Sequence, residues 1–180
     1  MNGAATFALD EIDLNLLVLL QQDARRTLRE LGQVVGLSPS AVHRRIARYH
    51  STGVIARQVA LLDPRAIGGP LLAVVLVSLE TESTQDHSSL RERLLTTPEV
   101  QQCYDVAGEW DYVVILVARD MADSRELVER LFLREPRVNS LATLPVFDSV
   151  KLGLDVPIRR TDGRQLEAIT YASGDDPQRP

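Results

Sequence analysis

Apolar residues in the first fifty positions recur at helical spacing, and beyond position 70 they recur in strand-like runs. Asp10 stands before Ile12, Leu16, Leu17, Leu19 and Leu20, a helical pattern with an acidic first turn that suits the helix dipole. The spacing predicts a second helix over 28–35, with Leu28, Leu31 and Val35 on one face and Gly36 where a left-handed C-terminal residue is wanted. Ser38 and Pro39 then read as an N-cap and first helical position, opening a third helix that runs to about Ser51 and stops at Gly53. Turn residues Asp63-Pro64 and Gly68-Gly69-Pro70 follow. The second half reads as a strand over 71–80, a helix over 88–96 with Leu90, Leu94 and Leu95 inward, and strands over 100–107 and 112–118 joined by the polar turn 108–111. An amphipathic helix over 122–134 and a last strand over 138–147 complete it. Strand, helix, strand, strand, helix, strand is the ferredoxin-like βαββαβ order, an antiparallel sheet with both helices on one face. The fold class expected is α+β. A three-helix helix-turn-helix domain occupies 9–57, a linker 58–70, a βαββαβ domain 71–157, and a partly disordered extension 158–180. Residues 1–8 carry no periodic pattern and are expected to fray.

Composition narrows the class. Hydrophobic residues make up 44% of the 180 and charged residues 25%, enough for an ordinary core. The apolar run 71–77 is too short to cross a bilayer, and the N-terminus lacks the basic and apolar regions of a signal peptide. The single cysteine, Cys103, forms no internal disulfide and supplies no zinc-ligand set. A soluble cytoplasmic protein without membrane contact is expected. The net charge of −5 speaks against nucleic acid until its distribution is considered. Between 24 and 57 seven arginines face one glutamate, a local +6; between 71 and 157 eight basic residues face fifteen acidic ones, a local −7. That asymmetry points to a nucleic-acid-facing half joined to an acidic half.

The motif with the most chemistry is 28–49: a short helix, a glycine turn and a capped second helix. Gly32 lets the two helices approach, and Gly36 frees the turn. In the second of these helices Val42, Ile46 and Tyr49 mark the buried side, so Ser40, Arg44, Ala47 and Arg48 point away from it. Such a face fits a major groove about 12 Å wide, with arginine able to grip guanine and hydroxyls or N-terminal amides anchoring phosphate. Ser38, Ser40, His43, Arg44, Arg45 and Arg48 are the candidates for double-stranded DNA. His43 and Arg45 flank the face, and Arg45 has a second reading as the partner of an acid inside the domain. Arg25 and Arg26 read either as phosphate contacts or as plain surface charge. A solvated basic helix in a bundle is the bland alternative. His43, His50 and His87 form no catalytic set, and neither metal-ligand spacing nor a phosphate loop is present, so no cofactor and no enzyme activity are expected.

The string LDEIDLNLLVLLQQDARRTLRELGQVVGLSPSAVHRRIARYHSTGVI resembles the N-terminal domain of the Lrp/AsnC (leucine-responsive/asparagine-responsive, feast/famine) transcription regulators. CYDVAGEWDYVVILVARDM, followed by VNSLATLPVFDSVK, is similar to that family's effector-binding domain. The resemblance implies dimers built through the regulatory domains, often assembled into octamers, and control by small molecules, usually amino acids. It also implies that the turn Gly108-Glu109-Trp110-Asp111 borders an effector pocket formed between dimers, with Gly108 and Asp111 carrying over most directly. A glycine there lets amides approach a carboxylate, and an aspartate accepts from an ammonium group; the plain alternative is a hairpin turn with local bonds. Tyr104, Asp105, Leu144 and Val146 align with the pocket neighbourhood, and Trp110 is expected to be exposed as an interface anchor or lid. Asp105 replaces an apolar residue often found in the family, and Pro145 interrupts a strand that is usually β-branched. Two other readings remain: an oligomeric sensor without DNA binding, and an enzyme subunit resembling the sirohaem decarboxylases.

Overall fold

The structure is a computed structural model that describes residues 8–80 and 87–158. Residues 1–7, expected to fray, and most of the expected 158–180 extension lie outside the described residues. The chain divides into two compact units, one running to Ala60 and taking in the chain from Gly153, the other Leu61–Leu152. The expectation carried the second domain to 157, whereas the contacts return residues from Gly153 to the helical unit.

In that unit the hydrophobic pattern becomes α1 (Glu11–Gln22), α2 (Leu28–Val35) and α3 (Pro39–Ser51). Each start is capped by the residue before it. Asp10 accepts from the Asp13 amide at 2.7 Å while Asp13 accepts from the Asp10 amide at 3.0 Å. Thr27 and Glu30 form the same reciprocal box on α2, and Ser38 caps α3 with Pro39 at the first position. Leu16, Leu19, Leu31, Val42 and Tyr49 are fully buried at the centre, each contributing about 1.5–3 kcal/mol of apolar transfer. The α2–α3 turn is closed by Gly36 at φ +71° and by the Leu37 amide donating to the Gly32 carbonyl at 2.9 Å. A Cβ on Gly32 would stand 2.4 Å from the Leu37 carbonyl oxygen, so only glycine lets the chain double back here.

The second unit is an antiparallel sheet of β1 (Leu71–Leu79), β2 (Val100–Asp105), β3 (Tyr112–Ala118) and β4 (Val138–Pro145), in spatial order β2-β3-β1-β4. Helices α4 (His87–Thr96) and α5 (Met121–Val128) connect the strands. Alternate residues of β1 and β3, Ala73, Val75, Val77, Val114 and Leu116 among them, meet Leu90, Leu94, Leu127, Leu131 and Phe132 in one core. Two expectations change. Leu95 is 76% exposed, because Leu90 and Leu94 already fill the inward stripe of α4 and Leu95 lies a further 100° round. The single helix over 122–134 is an α-helix to Val128 and a π turn over Glu129–Leu133, which keeps Leu131 and Phe132 on the core. The opposite face carries Leu72, Val74, Leu76, Val113, Ile115 and Val117, all half-buried.

Candidate nucleic-acid interface and effector region

Along α3 the exposed residues Ser40, His43, Arg44 and Ala47 stand at i, i+3, i+4 and i+7, one stripe along the helix. Ser38 is exposed at the head of that stripe, its hydroxyl oxygen accepting from the Ala41 amide at 3.3 Å and lying 3.1 Å from that of Ser40. His43 therefore sits on the stripe itself and not on its flank.

The other two arginines are directed elsewhere. Asp13 of α1, only 1% exposed, is the hub. Arg45 donates to it at 2.5 Å and to Asp10 at 2.8 Å; Arg48 donates to both its oxygens at 3.0 and 3.1 Å; the Tyr49 hydroxyl donates at 2.5 Å. Of the two roles open to Arg45, the ion pair inside the domain is the one the structure contains. The outward placement of Arg48 is corrected to a flank position, because a buried carboxylate draws its guanidinium toward α1. Burial on its own pushes the Asp13 carboxyl up, but the Tyr49 hydroxyl, the Asp10 amide and Arg45 outweigh it and bring its pKa down to about 2. Burial and Asp13 together push the Tyr49 phenol up, and the hydrogen bond to Asp13 raises Arg45. The helix that presents the stripe is thus fastened from behind by charge. Arg25 pairs with Asp23 at 3.2 Å and is almost fully exposed.

In the sheet unit, the 108–111 turn is stitched to the end of β1. Asp111 Oδ2 accepts from the Leu79 amide at 2.7 Å, its own amide donates to the Val77 carbonyl at 2.9 Å, and its carbonyl accepts from the Val106 amide at 3.0 Å. Leu79 lies where the β1–β4 register shifts, so the carboxylate satisfies an amide at the irregularity. Gly108 has φ +144°, a value that favours glycine, and a Cβ there would meet nothing within 4 Å. Gly108 and Glu109 are exposed; Trp110 is half-buried, not exposed as expected. Tyr104 is 50% exposed and donates to Gln102, and Asp105 is exposed at the end of β2.

Tyr104 and Asp105 lie beside the turn, Asp105 pairing with Tyr112 across the hairpin, but Leu144 and Val146 do not meet it within one chain. The Val146 amide bonds to Leu72 whereas the turn bonds to Val77 and Leu79, at least five residues along β1, about 17 Å. Leu144 and Tyr104 share the helix-free face but on opposite edge strands, three strand spacings or about 14 Å apart. A cleft of about 330 Å³ at the start of β1 is lined by Leu72, Val146 and the Arg65–Asp148 pair, and by none of 108–111.

Residues 9–50 match the model for the AsnC-type helix-turn-helix domain, and residues 72–155 match that for the Lrp/AsnC ligand binding domain. Over 150 residues, 83% of this chain and 89% of the relative, the sequence is 37% identical to the uncharacterized HTH-type transcriptional regulator y4tD of Sinorhizobium fredii. The chain belongs to the Lrp/AsnC family. It is a DNA-binding transcriptional regulator, and the relatives are regulators rather than enzymes. The leucine-responsive regulatory protein of Haemophilus influenzae is 34% identical over 80% of this chain and 87% of its own. Among solved structures, a transcriptional regulator of Neisseria meningitidis in complex with L-methionine aligns with a TM-score of 0.76 at 28% identity, covering 83% of this chain and 97% of that one. No described helix is long and apolar enough to cross a membrane.

Within this Lrp/AsnC fold, the residue that sequence reasoning missed is Asp13. Its signal was present: Asp13 falls three and four positions before Leu16 and Leu17, on the apolar stripe of α1, where an unpaired acid is costly.

Proposed function

We propose that this regulator reads duplex DNA with Ser40, His43 and Arg44 on the exposed stripe of α3, while Ser38 anchors phosphate at the helix head. Arg45 and Arg48 serve at one remove, by holding α3 on α1 through Asp13. The observation that carries this reading is the stripe itself: of three arginines within five residues, Arg44 alone lies on it. Arg44→Ala should weaken operator binding by about 1–3 kcal/mol and relax specificity at one base pair, with the loss persisting across a salt titration. Unchanged affinity at every salt concentration would remove Arg44 from the interface.

The regulatory half, on this proposal, forms a dimer through the helix-free sheet face, and dimers join into larger assemblies of the octamer kind. A small molecule of the amino-acid class binds at an interface bordered by Gly108, Glu109, Trp110 and Asp111. The neighbouring Tyr104 and Asp105 contribute from the same hairpin, and Leu144 and Val146 from another copy. Two things support this: the methionine complex of the Neisseria relative, and the separation of Leu144 and Val146 from the turn in a single chain, which leaves a pocket to be completed between copies. The proposed place of action is the cytoplasm. A thermal-shift screen of amino acids against the parent and Gly108→Val tests the site; a ligand that raises both melting temperatures equally binds elsewhere.

A further inference from the structure

The chain passes between its two units twice, leaving the helical unit after Ala60 and re-entering it at Gly153. The return is fastened. Gln21, near the end of α1, turns its carboxamide onto the main chain of Val156: Oε1 accepts from the Val156 amide at 2.8 Å and Nε2 donates to its carbonyl at 3.1 Å. A carboxamide used this way takes both hydrogen bonds that a neighbouring strand residue would exchange. Two residues on, Ile158 packs half-buried against the helical core. Leu154 and Val156 keep about two-thirds of their surface exposed, so the arm lies on the unit and is not folded into it.

We infer that residues 153–158 form a releasable second tether between the regulatory unit and the DNA-binding unit. A linker ending in Gly68-Gly69-Pro70 is one hinge; closing the chain at a second point removes orientational freedom that one hinge leaves. The grip is small, two hydrogen bonds and one isoleucine, which places it among contacts that open locally without unfolding the domain. The arm follows β4 after the irregular, largely exposed residues 146–152. Leu144 and Val146 thus have a covalent route to the α1 surface, ten to twelve residues long, that does not run through the 58–70 linker. For a dimer on DNA, the tether limits which half-site spacings the two α3 helices can meet. This last consequence rests on the dimeric DNA reading above; the tether itself does not.

The experiment uses the full chain and three variants, Gln21→Ala, Gln21→Glu and Ile158→Ala, each checked for an unchanged circular dichroism spectrum. The Val156 amide should exchange slowly in the parent and about tenfold faster in Gln21→Ala. Gln21→Glu keeps the acceptor and loses the donor, and should lie between. Nitrogen-15 relaxation should report faster local tumbling of α1–α3 relative to the sheet in Gln21→Ala and Ile158→Ala than in the parent. With DNA, all four proteins should bind a single half-site alike, while the variants should lose less affinity than the parent when one or two base pairs are inserted between half-sites. Equal Val156 exchange in parent and Gln21→Ala, or unchanged tumbling, overturns the tether. Looser tumbling with the same spacing penalty overturns its role on DNA. A parent that binds no half-site refutes the DNA reading alone, since exchange and relaxation involve no DNA.

Discussion

Asp13 shows how one buried carboxylate assigns roles to three residues of another helix. Its contacts reach 32 to 36 positions along the chain, so no local pattern announces them, although an acid in the leucine register of α1 marks the position as unusual. The periodicity of α3 correctly separates Val42 and Tyr49 from Ser40 and Arg44. It fails for Arg48, whose long side chain goes where the partner charge is and not where its Cα points. Asp13→Asn should destabilise the helical unit by about 2–3 kcal/mol, less than breaking a fully buried pair because Arg45 and Arg48 retain some access to water. The pH dependence follows from the direction of the shift. A carboxyl held at about 2 against an ordinary value near 3.8 contributes stability that is fully present above pH 4 and disappears as the pH falls through 2. Thermal unfolding followed between pH 7 and 2 should show that loss in the parent and a flatter profile in Asp13→Asn. Tyr49→Phe removes one donor at constant shape, and should cost about 1 kcal/mol while raising the midpoint of the acid transition.

At the scale of the element, the helix-turn-helix and the strand order were legible because their signals are local: caps at Asp10, Thr27 and Ser38, a left-handed Gly36, and alternation along β1 and β3. The π turn after Val128 was not, since Leu127, Leu131 and Phe132 keep helical spacing whether or not the ladder widens by one residue. The two turn glycines have different physical requirements, and that difference can be measured. Gly32 lacks space: an added Cβ meets the Leu37 backbone carbonyl at 2.4 Å, and a backbone atom cannot swing aside. Gly36 has space, with nothing within 4 Å of a Cβ, but sits at φ +71°. Gly36→Ala should therefore cost about 1 kcal/mol of conformational strain. Gly32→Ala should cost about 2–3 kcal/mol, overpacking outweighing the roughly 1 kcal/mol that alanine gains in helix propensity. Urea unfolding should reproduce that order. A reversed order would mean that α2 and α3 can separate at little cost, contrary to their close approach at Leu37.

For the whole molecule, the decisive feature is a sheet with helices on one face only. Leu76 pairs with Val113 across β1 and β3, with Ala142 and Tyr104 extending the row on either side. Val74 and Ile115 form the adjacent row. Their alternation with the buried residues of the same strands was readable from the sequence, but what covers them was not, because a pattern of apolar positions records that a face is dry and not whose surface dries it. A contiguous apolar face of this kind is uncommon on a monomer. Sedimentation equilibrium of the full chain at micromolar concentration should therefore give a dimer or larger, and Leu76→Asp with Val113→Asp should move it toward monomer. Charge placed on that face leaves the helix-side core of Val75, Val77 and Val114 untouched, so circular dichroism should stay near that of the parent. DNA binding then supplies an independent check. On the proposed reading, two α3 helices on one particle would engage two half-sites with an avidity that exceeds a single contact by about 10²–10⁴. The double variant should lose affinity of that order for a paired operator, yet bind an isolated half-site as the parent does. If it lost both, the substitution would have reached the helical unit, and the face would be structural within one chain. If it lost neither while becoming monomeric, each helical unit would bind DNA alone, and the sheet would have no part in DNA recognition.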